Sequence, residues 1–193
     1  MRICVFGAAS SLIDEKYITK VEELGRQIAA RGHSLVFGAG GSGLMGAAAR
    51  GVHEGGGKIF GVIPKFFAEE KVESIYDKCD EIVMPETMRQ RKQIMEDNTD
   101  AFIIVPGGIG TFEEFFEVLT LKQLRRHNKP LVIYNIFNYY SSVIQTIDYA
   151  IETDFVKSKC LDLYTVTDDL EELFAVVEGP ATAVGTVNEF KHG

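Results

Sequence analysis

A glycine-rich segment in the middle of the chain has the composition of an anion-binding turn. The sequence PGGIGT at 106–111 follows an unbroken apolar run at 101–105 and precedes apolar residues at helical spacing from Phe112 onward. An apolar run without alternation predicts a parallel strand buried on both faces. A strand, a glycine turn and a helix together point backbone N–H groups and the positive end of the helix dipole at a ligand. We therefore expect this turn to bind a phosphate group.

Glu114 is the acidic residue that could do chemistry beside this turn. It follows Thr111 at the spacing of a capping box, which is a purely structural device at the start of a helix. A carboxylate next to a phosphate-binding turn is electrostatically unfavourable, however, and such groups are frequent in active sites. Both interpretations are open at this point. We interpret the neighbouring Glu113 as a solvated residue or a hydrogen-bond acceptor.

The sequence MRQRK at 88–92 is the dense basic cluster of an otherwise acidic chain, and it precedes the glycine turn by one predicted helix. A run of charges is usually the solvated face of a helix. This position also suits an anion clamp formed by Arg89, Arg91 and Lys92. The four histidines are scattered and form no metal-binding or nucleophile–base arrangement. The sequence therefore does not support a Ser-His-Asp mechanism.

Two common nucleotide-binding motifs fit this chain poorly. GSGLMG at 41–46 matches G-x-G-x-x-G, but it follows the second predicted strand, and the next strand ends without the acidic residue that would bind a ribose. We interpret this segment as a turn for close helix–sheet packing and for the approach of the backbone to a ligand. PGGIGT lacks the lysine of a P-loop, which favours a monophosphate or a phosphosugar over a nucleoside triphosphate.

Strands alternate with helices along the chain. This alternation predicts an α/β fold, a single-domain Rossmann-like doubly wound parallel sheet of about seven strands with helices on both faces. The ligand of such a sheet lies outside the carboxyl ends of the strands, where the turns after strands one, two and five converge. The predicted strands are 2–6, 34–37, 58–63, 81–84, 101–105, 130–134 and 163–166.

Length and composition fit one domain, which we predict at residues 1–180, with a C-terminal tail at 181–193. The net charge of −8 argues against a nucleic-acid partner. Cys4, Cys79 and Cys160 lack the spacing of a disulfide framework or a zinc site, and the N-terminus lacks a signal sequence. No apolar run approaches the roughly 18 residues of a membrane span. These features predict a cytoplasmic protein without a membrane partner.

The motifs MRQRK and PGGIGTFEE, followed by Thr120, make the chain similar to the Lonely Guy (LOG) family. Its members are cytokinin riboside 5′-monophosphate phosphoribohydrolases, and they are related to proteins labelled as lysine decarboxylases. The resemblance extends from Arg2 to about Val177 and includes LVFGAGGSGLMG, FGVIP and KPLVIYN. It implies that a homodimer hydrolyses the N-glycosidic bond of a nucleoside 5′-monophosphate such as AMP, without a cofactor or a metal.

The resemblance also assigns roles to residues by position. The catalytic arginine of the family falls on Arg91 and its catalytic glutamate on Glu114. The implied substrate contacts are Met88, Lys92, Gly107, Gly108, Ile109, Gly110, Thr111, Phe112, Glu113 and Thr120.

The chain departs from the family pattern in several turns. The first turn reads GAAS at 7–10 where the family has Cys-Gly-Ser-Ser, and Arg89 replaces a histidine. The acidic residue expected after GVIP has no unique counterpart, because Glu69, Glu70 and Lys71 occupy that region. The preferred base and the physiological role do not follow from these motifs. Two alternatives are a non-catalytic nucleotide or cofactor carrier on the same fold, and a pyridoxal-phosphate decarboxylase, for which no lysine has a recognisable context.

Overall fold

The computed structural model describes residues 1–70, 72–180 and 185–190. Its strands are β1 Arg2–Phe6, β2 Ser34–Phe37, β3 Ile59–Val62, β4 Glu81–Val83, β5 Ala101–Ile104, β6 Leu131–Tyr134 and β7 Thr165–Thr167. They form one seven-stranded sheet in the order β4-β3-β2-β1-β5-β6-β7, and every neighbouring pair is parallel. The predicted fold class is therefore confirmed.

Helices connect the strands and cover both faces of the sheet. They are α1 Glu15–Ala30, α2 Gly43–Glu54, α3 Lys65–Glu69, α4 Met88–Asp97, α5 Ile109–Gln123, α6 Ser141–Glu152, α7 Leu170–Glu178 and α8 Val187–Phe190, with 3-10 helices at Ile136–Asn138 and Ser158–Leu163. None of the helices in the described ranges is long and apolar enough to cross a membrane.

The strand order reverses between β1 and β5, and this reversal determines where a ligand can bind. From β1 the chain adds β2, β3 and β4 on one side, and it then returns to add β5, β6 and β7 on the other. The carboxyl ends of β1 and β5 lie side by side, since Phe6 pairs with Ile104. The connections that follow these two strands diverge to opposite faces of the sheet and leave a crevice between them.

Apolar packing on one face of the sheet fixes the two helices that carry the predicted catalytic residues. Met95 of α4 and Phe115 of α5 pack in one core with Phe102 and Ile104 of β5. Ile103 belongs to the core on the opposite face, because successive strand residues point to opposite sides. Both α4 and α5 follow a strand directly, so both begin at the carboxyl edge of the sheet.

The predicted strand boundaries before β7 are confirmed to within one residue, but two other boundaries differ. α5 begins at Ile109 and not at Phe112, because Gly108 is its N-cap. The last strand lies at Thr165–Thr167 and not at 163–166, since Ser158–Leu163 forms a 3-10 helix before it.

The structure describes residues 185–190 of the predicted C-terminal tail. Phe190 of α8 is buried in the same core as Phe115, and the Gln123 side-chain amide donates to the Phe190 carbonyl at 3.0 Å. This contact joins α8 to α5. The remaining tail residues, 181–184 and 191–193, lie outside the described residues. The division of the chain at residue 180 stays a prediction.

Candidate active site

The PGGIGT turn presents a row of backbone N–H groups that the protein itself does not use. Among the described residues, the N–H groups from Gly107 through Thr111 have no hydrogen-bond acceptor. The next N–H group, that of Phe112, donates to the Gly108 carbonyl at 2.9 Å. No side chain caps α5 at its N-terminus. Free N–H groups at the positive end of a helix dipole are a favourable site for an anion. The geometry of the turn is therefore suitable for the predicted phosphate binding.

The glycines of this turn serve different purposes. A Cβ at Gly107 would lie 2.1 Å from the Oγ1 atom of Thr111, so the fold excludes a side chain there. A Cβ at Gly108 or Gly110 would meet no atom within 4 Å. Side chains at these two positions would occupy open space beside the free N–H groups. Gly108 and Gly110 therefore keep that space available for a ligand.

Arg91 is buried near the start of α4, and the fold makes room for its guanidinium group. Only 5% of the residue is exposed, and its Nε donates to the Val62 carbonyl at 3.1 Å. A Cβ at Gly38 would lie 1.8 Å from Nη2, so the glycine after β2 is what allows the guanidinium to lie there. Nη1 lies 3.7 Å from Oε1 of Glu114. The two predicted catalytic residues are thus neighbours in space.

Glu114 lies in the second turn of α5 and is 9% exposed. Burial raises the pKa of its carboxyl group to about 7, and the Arg91 guanidinium opposes this rise without cancelling it. The nearby carboxylates of Glu113 and Glu117 add to the rise. A carboxyl group with such a pKa exchanges a proton readily near neutral pH, which is the property that general acid–base catalysis needs.

The capping box of this site belongs to α4. The alternative interpretation of Thr111 and Glu114 as a capping box is wrong, because α5 already begins at Ile109 and Thr111 lies inside it. In α4, the Thr87 hydroxyl accepts from the Gln90 N–H at 3.2 Å, and the Gln90 side chain accepts from the Thr87 N–H at 3.1 Å. This reciprocal pair fixes the turn that carries Arg91.

Lys92 follows Arg91 in sequence but faces another direction. Its ammonium group forms ion pairs with Glu113 and with Glu117, the latter at 2.7 Å. Arg89 is exposed on the surface of α4. Successive residues of a helix point about 100° apart, so the cations of MRQRK cannot all reach one site. Of these cations, Arg91 is the one directed at Glu114.

A cavity of about 350 Å³ brings the predicted groups together. Arg91, Gly108, Gly110, Thr111 and Glu114 all line it, and residues 7–10 of the first turn also contribute to its wall. A second cavity of about 260 Å³ adjoins it at the first turn and at Gly108. Gly107 lines this adjoining cavity. Within the described ranges, no group of His, Cys, Asp and Glu side chains is arranged to hold a metal ion.

The other predicted contacts do not line either cavity. They are Met88, Lys92, Ile109, Phe112, Glu113 and Thr120. Met88 is 36% exposed and Ile109 is 83% exposed, and Thr120 also lies on the outer surface. Phe112 instead packs against Tyr140, with their ring centroids 6.1 Å apart. The role of these six residues as substrate contacts stays a prediction.

Glu73 is a cavity residue that the sequence motifs do not identify. The family pattern directs attention to Glu69 and Glu70, which are exposed, and to Lys71, which lies outside the described residues. Glu73 lines the cavity with Arg91. Burial raises the pKa of its carboxyl group, and the Arg91 guanidinium opposes that rise.

Backbone pairing with the second glycine turn places Glu73. Gly40 forms an isolated antiparallel bridge with Ile75, and the Gly41 N–H donates to the Ser74 carbonyl at 2.6 Å. A Cβ at Gly40 would lie 3.0 Å from the Glu73 carboxyl carbon, so glycine leaves room for this side chain. The sequence gives no signal that separates Glu73 from the six other acidic residues between GVIP and MRQRK.

The glycine-rich turn after β2 has a packing role. The N–H groups of Leu44 and Met45, at the start of α2, both donate to the Ala8 carbonyl, at 2.8 and 3.3 Å. A Cβ at Gly46 would lie 2.1 Å from the Gly41 carbonyl oxygen. The first turn of the protein thus occupies the N-terminus of α2, which supports close packing over dinucleotide binding at this motif.

Comparison with known proteins identifies relatives that match most of the chain. A family model described as "Possible lysine decarboxylase" matches residues 45–177. The chain is 37% identical over 177 residues to the cytokinin riboside 5′-monophosphate phosphoribohydrolase LOG2 of Arabidopsis thaliana, a match that covers 92% of this chain and 82% of that protein. It is 36% identical to LOG3 of the same plant, with 92% and 81% covered.

Solved structures share the fold. The molybdenum cofactor carrier protein of Chlamydomonas reinhardtii superposes with a TM-score of 0.69 at 24% identity, covering 92% of this chain and 95% of that chain. The molybdenum cofactor binding protein of Rippkaea orientalis gives 0.67 at 18% identity, with 92% and 93% covered. At these identities the superpositions show a common fold. The family model, which matches residues 45–177, and the curated relatives, which cover 92% of the chain, show that it belongs to the LOG family of cytokinin riboside 5′-monophosphate phosphoribohydrolases.

Proposed function

We propose that the chain hydrolyses the N-glycosidic bond of a nucleoside 5′-monophosphate, such as AMP or isopentenyladenosine monophosphate, and releases the free base and ribose 5-phosphate. The observation that carries this proposal is a buried Arg91–Glu114 pair in the same cavity as Gly108 and Gly110 of the PGGIGT turn. The curated relatives named for this activity support it. The enzyme is an N-glycosyl hydrolase that needs no cofactor for this reaction.

The 5′-phosphate binds at the N-terminus of α5. The free N–H groups from Gly107 through Thr111 and the positive end of the helix dipole hold the anion locally. Local donors of this kind can outweigh the net charge of −8, which acts over longer distances and is screened by salt. Binding energy from the phosphate orients the sugar toward Glu114, which converts binding into catalysis.

Glu114 lies one helical turn beyond the phosphate site and acts at C1′ of the ribose. Its ionised carboxylate accepts a proton from a water molecule as that water attacks C1′, and its charge stabilises the oxocarbenium-like sugar. The C1′–N bond breaks, its electron pair leaves with the base, and the base takes up a proton. Arg91 positions the substrate, and its positive charge stabilises the negative charge that develops on the departing base.

Glu73 completes the sugar site in this proposal. Its side chain lines the same cavity as Arg91 and Glu114. A carboxylate has two acceptor oxygens, so it can accept hydrogen bonds from two neighbouring ribose hydroxyl groups. This role is supported by the position of Glu73, whereas Glu69 and Glu70 are exposed.

A homodimer is part of the same proposal. Ile109 and Phe116 of α5 are 83% and 42% exposed, and Met88 of α4 is 36% exposed. Ile109, Phe116 and Thr120 recur at helical spacing on the outer face of α5. A second copy covering this face would bury the exposed apolar residues and would explain why predicted contacts lie outside the cavity. Sedimentation equilibrium in the presence of saturating substrate measures the mass of the particle in solution and so tests the proposed homodimer. A monomer mass under these conditions would contradict it.

The proposed location is the cytoplasm. Cys4, Cys79 and Cys160 are all free thiols, with Cys4 and Cys160 buried. Free thiols of this kind fit a reducing compartment. Fractionation of the native host, with detection of the chain by antibody, tests the location.

A base-release assay separates the proposal from its alternatives. The purified chain is incubated with AMP and with isopentenyladenosine monophosphate, and the products are separated by chromatography. The proposal expects free base and ribose 5-phosphate in equal amounts, whereas nucleotide binding without products would favour a carrier. A pyridoxal-phosphate decarboxylase needs a lysine for its Schiff base, and none of the lysines in the described part of the chain lines the cavity of Arg91 and Glu114. An absorbance scan of the purified protein checks for that cofactor.

A further inference from the structure

Two adjacent tyrosines from the connection between β6 and α6 hold the backbone of the PGGIGT turn. The Tyr139 hydroxyl donates to the Gly107 carbonyl at 2.7 Å, and the Tyr140 hydroxyl donates to the Val105 carbonyl at 2.8 Å. The carbonyl between them, that of Pro106, accepts from the Ala8 N–H at 3.1 Å. Each carbonyl from 105 to 107 is therefore bound by a donor from elsewhere in the chain.

These bonds determine where the N–H groups of the turn point. A trans peptide unit is planar, and its C=O and N–H bonds point in opposite directions. The chain has no cis peptide among its described residues. The Gly107 carbonyl shares its peptide unit with the Gly108 N–H. When Tyr139 holds that carbonyl, the Gly108 N–H is turned to the opposite side of the backbone.

The position of Tyr139 shows which side that is. Tyr139 lines the adjoining cavity of about 260 Å³ and does not line the cavity that contains Arg91 and Glu114. Gly108 lines both cavities. A Gly108 N–H directed away from Tyr139 is consistent with donation into the cavity of Arg91 and Glu114, which Gly108 lines and Tyr139 does not. Hydrogen bonding of a peptide carbonyl also polarises the N–H of the same unit and strengthens it as a donor.

The backbone directly before Tyr139 contains two consecutive left-handed residues. Phe137 and Asn138 both adopt left-handed conformations, with φ of 52° and 59°. Asparagine tolerates this conformation, but it is unfavourable for a bulky residue such as Phe137 and persists where surrounding contacts hold it. Here the Asn135 side-chain oxygen accepts from the Tyr140 N–H at 2.8 Å. The Tyr17 ring packs edge-on against Phe137 at 5.2 Å between centroids.

We propose that Tyr139 is a positioning residue for the 5′-phosphate. It acts through the Gly107–Gly108 peptide unit, which it orients so that the Gly108 N–H donates to the phosphate, and it has no part in cleaving the glycosidic bond. This inference rests on the proposed function. It assigns a specific task to a residue that lies outside the glycine motif and outside the MRQRK cluster.

The test is the Tyr139→Phe variant, which removes the hydroxyl and keeps the ring. One lost hydrogen bond on a residue that is 42% exposed should raise KM for the nucleoside monophosphate by about 3- to 10-fold. The inhibition constant of the product ribose 5-phosphate should rise by the same factor, while kcat stays unchanged and the melting temperature falls by no more than about 2–4 °C, the usual effect of one lost hydrogen bond. Tyr149→Phe is the matched control, because Tyr149 is 66% exposed and its hydroxyl has no partner in the described part of the chain.

The outcomes separate this inference from the function on which it rests. Unchanged KM and unchanged inhibition by ribose 5-phosphate in Tyr139→Phe would overturn the inference alone. A fall in kcat with no change in ribose 5-phosphate inhibition would also overturn it, because a phosphate-positioning role predicts the reverse. A wild-type chain that neither releases base nor binds ribose 5-phosphate in a direct binding assay would overturn the proposed function as well.

Discussion

The turn after β2 and the turn after β5 are both rich in glycine and both lead into a helix, but their N–H groups have different partners. At the start of α2, the N–H groups of Leu44 and Met45 donate to the Ala8 carbonyl. At the start of α5, the N–H groups from Gly107 through Thr111 have no acceptor among the described residues. The turn after β2 therefore packs against the rest of the protein, and the turn after β5 has N–H groups that are available to a ligand.

The difference shows that a glycine motif is better interpreted from its backbone partners than from its spacing. The turn after β2 matches G-x-G-x-x-G literally, and a Cβ at Gly46 would lie 2.1 Å from a carbonyl oxygen of its own turn. The turn after β5 matches no nucleotide-binding consensus of that kind, yet a Cβ at Gly110 would meet only open space. Glycine excludes a clash in one turn and keeps space for a ligand in the other.

The largest expected effect concerns the helix that follows the turn after β5. Glu114→Gln should lower kcat by about 100- to 10,000-fold, because it removes the general acid–base group while keeping the side-chain shape. Ribose 5-phosphate should still bind. Steady-state kinetics and product inhibition measure both. Glu113→Gln is the matched control, since Glu113 pairs with Lys92 and does not line the cavity. Comparable losses in the two variants would contradict the assignment of Glu114.

Alanine in place of one glycine from each turn tests the comparison directly. Gly46→Ala should lower the free energy of unfolding by about 1–3 kcal/mol, the usual cost of overpacking, as measured by urea denaturation. Gly110→Ala should keep or raise that free energy by up to about 1 kcal/mol, since alanine favours a helix, while its methyl group weakens ribose 5-phosphate binding. A stable Gly46→Ala variant, or full binding by Gly110→Ala, would break the distinction between the two turns.

A smaller effect is the pH dependence of kcat/KM. Glu114 acts as a carboxylate, and burial raises its pKa to about 7. Protonation below this value removes the active form, so kcat/KM should fall about tenfold per pH unit on the acid side of pH 7 and level off above it. The substrate phosphate also titrates, with a second pKa of about 6. An acid limb with its midpoint at the phosphate value would show that Glu114 does not control the rate.

The sequence predicts the fold well and the site only in part, for physical reasons visible at particular residues. Apolar runs bounded by glycine and proline define the strands closely. The predicted start of α5 at Phe112 is wrong, because the helix begins at Ile109. Its N-cap is Gly108, which has no side chain that would mark the boundary in the sequence. Thr111 and Glu114 have the spacing of a capping box but do not form one. Thr87 and Gln90, which have the same spacing, do form a capping box at the start of α4.

Long-range placement explains the rest of what the sequence leaves out. Arg91 and Lys92 are adjacent cations, and only the helix orientation on the sheet decides which of them faces Glu114. Glu73 enters the cavity through a loop whose position depends on pairing with the second glycine turn. Tyr139 reaches the Gly107 carbonyl from the connection between β6 and α6, a separation of 32 residues. No local pattern encodes contacts of this kind.

Product analysis with isopentenyladenosine monophosphate tests the central claim most directly. Wild-type chain and Glu114→Gln are each incubated with the nucleotide, and free base and ribose 5-phosphate are quantified over time. The account predicts equal amounts of both products from the wild type, and binding with almost no product from Glu114→Gln. Binding of the nucleotide by the wild-type chain without release of base, or equal release by both proteins, would contradict it.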